Sequence, residues 1–182
     1  MKKEITGYKS VDENFKNIAG KKLEEGKSYH ADGIIKYGIN GNGYHFAKNL
    51  EDTLRFQLKD NYHLVKPNIA KVIGFGNIIN SSDEYYGYYD LYTAENIKIL
   101  KFLTHDDIIN YALKLREERM RRFVSLYKLT NEEIKFFKNK YHSVDLALLY
   151  HQKQQIDIYM LYYESLHSKK ESEKIKQLMK NL

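Results

Sequence analysis

The distribution of backbone-breaking residues is the strongest constraint on how this 182-residue chain folds. All ten glycines and the single proline, Pro67, precede Thr104, and none follows it. Glycine and proline punctuate short apolar runs in strand-and-turn structure, and their absence over a long polar-apolar stretch favours uninterrupted helix. The chain therefore reads as an α+β domain over residues 1–104, a small mixed or antiparallel β domain, followed by an all-helical extension of three to four helices over residues 105–182.

Within the first part, "GYKSV" opens as a strand, and "SYHADGIIKYG" reads as two extended pieces hinged at the turn-forming pair Asp32-Gly33. "GYHFA" is a further short strand. In "NLEDTLRFQL", Asn49 is a candidate helix cap, and Leu50, Leu54 and Leu58 follow at helical spacing. The glycines of "AKVIGFGNII" predict a bent or bulged strand, and "NIKILKFL" alternates with a period of two.

Helix starts in the second part are marked chemically. Thr104 precedes Asp107 by three residues and Thr130 precedes Glu133 by three, so each hydroxyl can accept from the first helical turn while the acid favours the helix N-terminus. Ile109, Ala112, Leu113, Met120, Phe123 and Tyr127 are expected on one face of a first helix, with most of "REERMRR" turned outward. A third start at Ser143 opens a long helix, and the charged segment from Ser168 closes the chain.

Thirty Lys and Arg against twenty-four Asp and Glu leave a net charge of +6, interspersed as on an ordinary solvated surface but compatible with an acidic partner. No cysteine is present, so a disulfide framework and a cysteine-ligated metal are excluded. "MKKEITGYKS" lacks the apolar run of a signal peptide, and no stretch reaches the roughly 20 apolar residues that span a bilayer, so no membrane partner and a cytoplasmic setting are expected. Seven scattered histidines show no metal-binding spacing.

One stretch concentrates the candidate chemistry. In "INGNGYHFAKNLEDTLRF", Gly41 and Gly43 precede Tyr44-His45-Phe46 and a helical run. Glycine permits positive φ and close backbone approach to a ligand, so the pair can shape either a plain tight turn or a loop leading into a cleft. Gly-Asn-Gly is neither a phosphate loop nor a dinucleotide fingerprint.

Together with "GYKS" and "GKSYHADGIIKYG", this stretch resembles a bacterial and phage domain family of unknown function. That family's pattern runs from a Tyr-Lys-Gly start through a Gly-Lys-Tyr strand to Gly-Phe-His-Phe or Gly-Phe-His-Ala and an Asn-Pro-Leu-Asp-x-Leu helix. The resemblance covers about residues 5–104.

More distantly, the segment is similar to the NAD-binding core of ADP-ribosyltransferases, where Gly-x-Gly-Ile-Tyr-Phe-Ala precedes a helix ending in an aromatic residue. Gly41, Gly43, His45, Phe46, Ala47 and Phe56 follow that pattern. This resemblance implies an ADP-ribosyltransferase-like fold with NAD or a related nucleotide as cofactor. His45 or Tyr44 would line the nicotinamide pocket, Phe46 would stand beside them, and Tyr8 with Lys9 would occupy the first-strand position. Nicotinamide cleavage passes through an oxocarbenium-like state that a carboxylate stabilises. Glu95 is the candidate catalytic acid, with Asp90 and Glu84 as alternatives. The chain departs from the pattern at Lys9, where an arginine or histidine is usual, and at Ser10, where glycine is usual. Lysine is a point charge and not a bidentate fork, so an inactive relative of the fold stands beside the active one.

"DEYYGYYDLY" supplies tyrosine faces that either stack on nucleobases or fill a core and its edge. Thr130 to Tyr141 and the helix from Ser143 have helix-turn-helix spacing, but "VDLALLYHQ" is too apolar for a reading helix, and a bundle is expected, either packed on the first domain or forming a homo-oligomer. Two functions follow. One is an ADP-ribosyltransferase-like domain holding a nucleotide in a cleft; the other is a non-enzymatic interaction module of phage or mobile-element origin that binds a protein or nucleic acid.

Overall fold

The computed structural model describes residues 4–36, 41–54, 67–81 and 89–140. The chain divides into two compact units, residues 1–57 with 66–114 and residues 58–65 with 115–182. The first is α+β. Its strands are β1 (Glu4–Val11), β2 (Ser28–His30), β3 (Tyr44–Ala47), β4 (Asn68–Asn80) and β5 (Leu91–Phe102), with helices α1 (Leu50–Leu54) and α2 (His105–Ala112).

All strand pairings are antiparallel, and they close into a small barrel: β1 pairs with β3 and β4, and β5 pairs with β3 and β4. β2 extends the edge of β5 beyond β3, with Tyr29 opposite Ile97. Closure removes the exposed strand edges that an open sheet would leave. The expected irregularity in β4 is a break of register between Phe75 and Ile78, where Gly76 takes φ +86°. Such a conformation is cheap only for glycine.

Alternation along the strands fills the interior with Val11, Tyr44, Phe46, Ala70, Val72, Ala94, Ile97 and Ile99. The Phe46 ring lies close against the backbone of β1 at Gly7 and of β4 at Gly74. A Cβ on Gly7 would lie 2.7 Å from that ring and one on Gly74 would lie 2.5 Å from it. Gly74 thus admits the aromatic ring, and Gly7 admits both the ring and the Ala47 carbonyl oxygen, which explains why a β-rich chain places glycine where β-branched residues usually pack better.

Thr104 begins α2 as its sequence spacing predicts: its hydroxyl accepts from the Asp107 amide at 3.1 Å, and the Asp107 carboxylate accepts from the Thr104 amide at 3.0 Å. The single long helix expected after it is two helices, α2 and α3 (Glu117–Leu126), with Arg116 extended at φ −69°, ψ 157°. Ile108 and Ala112 form the buried stripe of α2, and the next position at that spacing is Arg116, a charged residue on the exposed surface. Continuing the helix would carry a guanidinium into the apolar stripe, and the chain breaks there instead. The break coincides with the division between units.

In the second unit, α3 buries Met120, Phe123 and Val124, and the Phe123 and Tyr127 rings stack at 5.2 Å. Helix α4 (Asn131–Lys140) starts from the predicted reciprocal cap, the Thr130 amide donating to Glu133 at 2.7 Å and the Glu133 amide to the Thr130 hydroxyl at 3.2 Å. Burial, then the Glu133 carboxylate, push the Tyr127 hydroxyl up to about 12. The helix start predicted at Ser143, the closing charged segment and most of the tyrosine-rich run lie outside the described residues. No described helix is long and apolar enough to cross a membrane.

Candidate functional site

The residues carried by the ADP-ribosyltransferase resemblance are distributed over both sides of the barrel wall. Tyr44 and Phe46 point inward as core residues, and His45 between them faces outward. His45 has a backbone hydrogen bond with Lys36; burial and then the Lys9 ammonium hold its imidazole below the usual histidine range. Tyr44 is buried, and its hydroxyl donates to the His30 carbonyl at 3.3 Å and accepts from Lys21 Nζ at the same distance.

Tyr8 and Lys9, adjacent in β1, also take opposite sides. Tyr8 faces outward, its ring edge-on to Tyr111 at 5.4 Å. Tyr111 Oη donates to the fully buried Glu51 at 2.9 Å and accepts from the Leu50 amide at 3.2 Å. Burial and then the Glu51 carboxylate raise the Tyr8 pKa. Lys9 is turned inward with 9% of its surface exposed, and its Nζ donates to the His45 carbonyl at 2.8 Å. Burial alone lowers its pKa from 10.5 to about 8.

The position of Lys9 follows from a defect in the barrel. β1 and β3 share one registered pair, Tyr8 with Ala47, and then separate. Two side chains supply the ladder bonds that the backbone no longer makes: Lys9 serves the His45 carbonyl, and Thr53 of α1 accepts from the Ser10 amide at 2.9 Å. The residues of the expected first-strand position thus close a seam.

Glu95 is held at the β4 bulge, where its Oε2 accepts from the Asn77 amide at 2.9 Å. A Cβ on Gly76 would stand 2.7 Å from the same oxygen. Asp90, the second candidate acid, accepts from the Asn49 amide nitrogen at 3.3 Å, and Asn49 also donates to the buried Asp52 at 2.9 Å. Asn49, expected as a cap, is therefore a carboxylate clamp in these contacts. Glu84 lies outside the described residues. Among the described residues, no three His, Asp or Glu side chains converge in a way that could hold a metal ion.

A second surface, which sequence inspection misses, lies on the outer side of β1, β4, β5 and β2. The register sets out three rows of outward side chains: Tyr8, Lys71 and Lys101; Thr6, Ile73, Lys98 and Ser28; and Glu4, Phe75, Asn96 and His30. Lys98, Lys101, Thr6, Ser28 and His30 are exposed, and Tyr8, Lys71, Ile73 and Phe75 are partly so. Lys101 pairs with Asp107 at 2.8 Å, whereas Lys71 and Lys98 make no ion pair among the described residues. The period-two pattern of "AKVIGF" and "NIKILKF" marks the outward residues of each strand, but only pairing puts three lysines and two aromatic rings on one face.

Comparison with protein-family models, curated proteins and solved structures finds no match for this chain.

Proposed function

We propose that the barrel unit is a non-enzymatic interaction module whose outer β1-β4-β5-β2 face binds single-stranded nucleic acid. The observation that carries this reading is the juxtaposition on that face of Lys71, Lys98 and Lys101 with Tyr8, Ile73 and Phe75. Lysines on a nucleic-acid surface neutralise phosphates, and partly exposed rings offer stacking worth about 1–3 kcal/mol per base without demanding a particular sequence. Lys71 and Lys101 stand directly opposite each other, and the Asp107 carboxylate that pairs with Lys101 at 2.8 Å offsets their repulsion.

The groups that nucleotide cleavage would require support the same choice, because each has a structural task. Tyr44 and Phe46 fill the core, Lys9 serves a strand carbonyl, and Glu95 holds a bulge amide.

Fluorescence anisotropy with a labelled 20-nucleotide single strand tests the proposal. Binding is expected at low salt, with log K falling against log salt at a slope of about −2 for three phosphate contacts. Replacing Lys71 and Lys98 together with glutamine is expected to reduce that slope by about 1.4 and to weaken binding at least tenfold. No binding at 50 mM salt, or heat on NAD titration together with nicotinamide release, would overturn this reading in favour of a protein partner or of the transferase-like cleft.

A further inference from the structure

Between β1 and β2 the chain forms a hairpin whose apex is unusual in composition and in order. Residues 14–22, "NFKNIAGKK", contain three lysines and no acid, and Ile18 at the apex is 90% exposed, more than any other large hydrophobic residue described. The loop is fastened by several bonds. The Gly20 amide donates to the Asn17 carbonyl at 2.8 Å, the Asn17 amide to the Lys21 carbonyl at 2.9 Å, and the Lys21 amide to Asn17 Oδ1 at 2.9 Å. Lys16 and Lys22 form a bridge below the apex, and Gly20 supplies the positive φ that the turn needs.

The base of the hairpin is equally anchored. Asp12 Oδ1 accepts from the Asn14 and Lys16 amides, the Phe15 ring lies 4.6 Å from Phe102, and Leu23 is buried in the core. Of the acids at the base, Asp12 is engaged in this turn, Glu24 by Lys27 at 2.8 Å and Glu25 by the Phe102 amide, while Glu13 is exposed. At 90% exposure on an ordered turn, the Ile18 side chain gains little from folding, and its apolar surface is accessible beside Lys16 and Lys22. β1 enters the hairpin from the end of the barrel where the Tyr8, Lys71 and Lys101 row lies, since Val11 pairs with Asn68 just beyond that row.

We propose that this hairpin is a wedge for a junction between single-stranded and duplex nucleic acid. Ile18 stacks on the terminal base pair, and Lys16 and Lys22, one on each arm, meet the two phosphate strands. The inference rests on the single-strand reading of the outer face and deepens it: the face holds the strand and the hairpin defines where the duplex ends. Apolar side chains inserted at base steps act in this way in minor-groove architectural proteins.

The test compares a labelled 12-nucleotide tail with the same tail joined to a stem-loop, using the full chain and its Ile18→Ser and Ile18→Leu variants. At 90% exposure Ile18 has no packing to lose, so both variants fold. The expected result is that the wild type binds the tailed stem-loop about fivefold to tenfold more tightly than the tail, as burial of part of one isoleucine allows. Ile18→Ser abolishes that preference while leaving tail binding intact, Ile18→Leu keeps it, and 2-aminopurine at the terminal pair brightens only with the wild type and Leu variant. Equal affinity of wild type and Ile18→Ser for the tailed stem-loop overturns the wedge alone. Loss of all binding, tail included, overturns the outer-face reading as well. Ile18-dependent sedimentation with anionic vesicles, in place of the junction preference, overturns the wedge in favour of a lipid surface.

Discussion

Replacing Lys9 with methionine probes the seam of the barrel through its pH dependence. In the folded chain the Lys9 amine titrates at about 8, against an ordinary value of 10.5, because burial penalises the ammonium. At about 1.4 kcal/mol per pH unit, the charged form costs folding about 3 kcal/mol at neutral pH. The unfolded chain binds more protons than the folded chain between pH 8 and 10.5, so stability rises with pH through that window. By pH 10 about 2.5 kcal/mol of the penalty is recovered. The substitution also removes the donor to the His45 carbonyl, at a cost of about 1–3 kcal/mol for a buried acceptor left without it. Near pH 7 the two effects roughly cancel, and at pH 10 the variant is less stable than the wild type.

Urea melts followed by circular dichroism at pH 7, 8, 9 and 10 measure both chains. The stability difference between wild type and Lys9→Met should grow by about 2–3 kcal/mol across the series. Tyr8, whose raised pKa means that the folded chain keeps its proton longer, lowers stability only above pH 10 and is common to both chains. Parallel pH profiles would refute the reasoning, because they would mean that the Lys9 amine is solvated in the folded state.

Two further predictions address the core and the bulge. Gly74→Ala puts a Cβ 2.5 Å from the Phe46 ring and should cost about 2–3 kcal/mol in chemical denaturation, partly rescued by Phe46→Leu; Gly7→Ala also meets the Ala47 carbonyl oxygen at 2.3 Å, a backbone atom, and should resist that rescue. Failure of Phe46→Leu to rescue Gly74→Ala would show that the ring is not what Gly74 accommodates. Glu95→Ala should lower stability by about 1–2 kcal/mol by leaving the Asn77 amide without its carboxylate, while Glu95→Gln retains an acceptor and most of the stability. Nicotinamide release from NAD that disappears in Glu95→Gln would instead make Glu95 a catalytic acid.

Local chemistry was legible in the sequence wherever one short segment decides the outcome. The caps at Thr104 and Thr130 need only a hydroxyl and an acid three residues apart, and both form. Gly76 marked a bulge in β4 because glycine tolerates the left-handed backbone that a bulge imposes. The strand at Tyr44–Ala47 and the start of a helix at Leu50 were readable for the same reason. The break at Arg116 was not, since neither glycine nor proline announces it, and it depends on an apolar stripe that a charged residue interrupts.

The sequence by itself determined the α+β character of the first part, the helices within residues 105–140 and the candidate groups on each strand, because backbone preference and period-two alternation are properties of neighbouring residues. Which groups meet was decided only by tertiary structure. The separation of β1 from β3 turned Lys9 inward to a carbonyl, the bulge took Glu95, and strand register set Lys71 beside Lys101 and Ile73 beside Lys98. A slip of one residue in any pairing would exchange the inner and outer faces, so the composition of a barrel surface follows from long-range pairing that no single strand encodes.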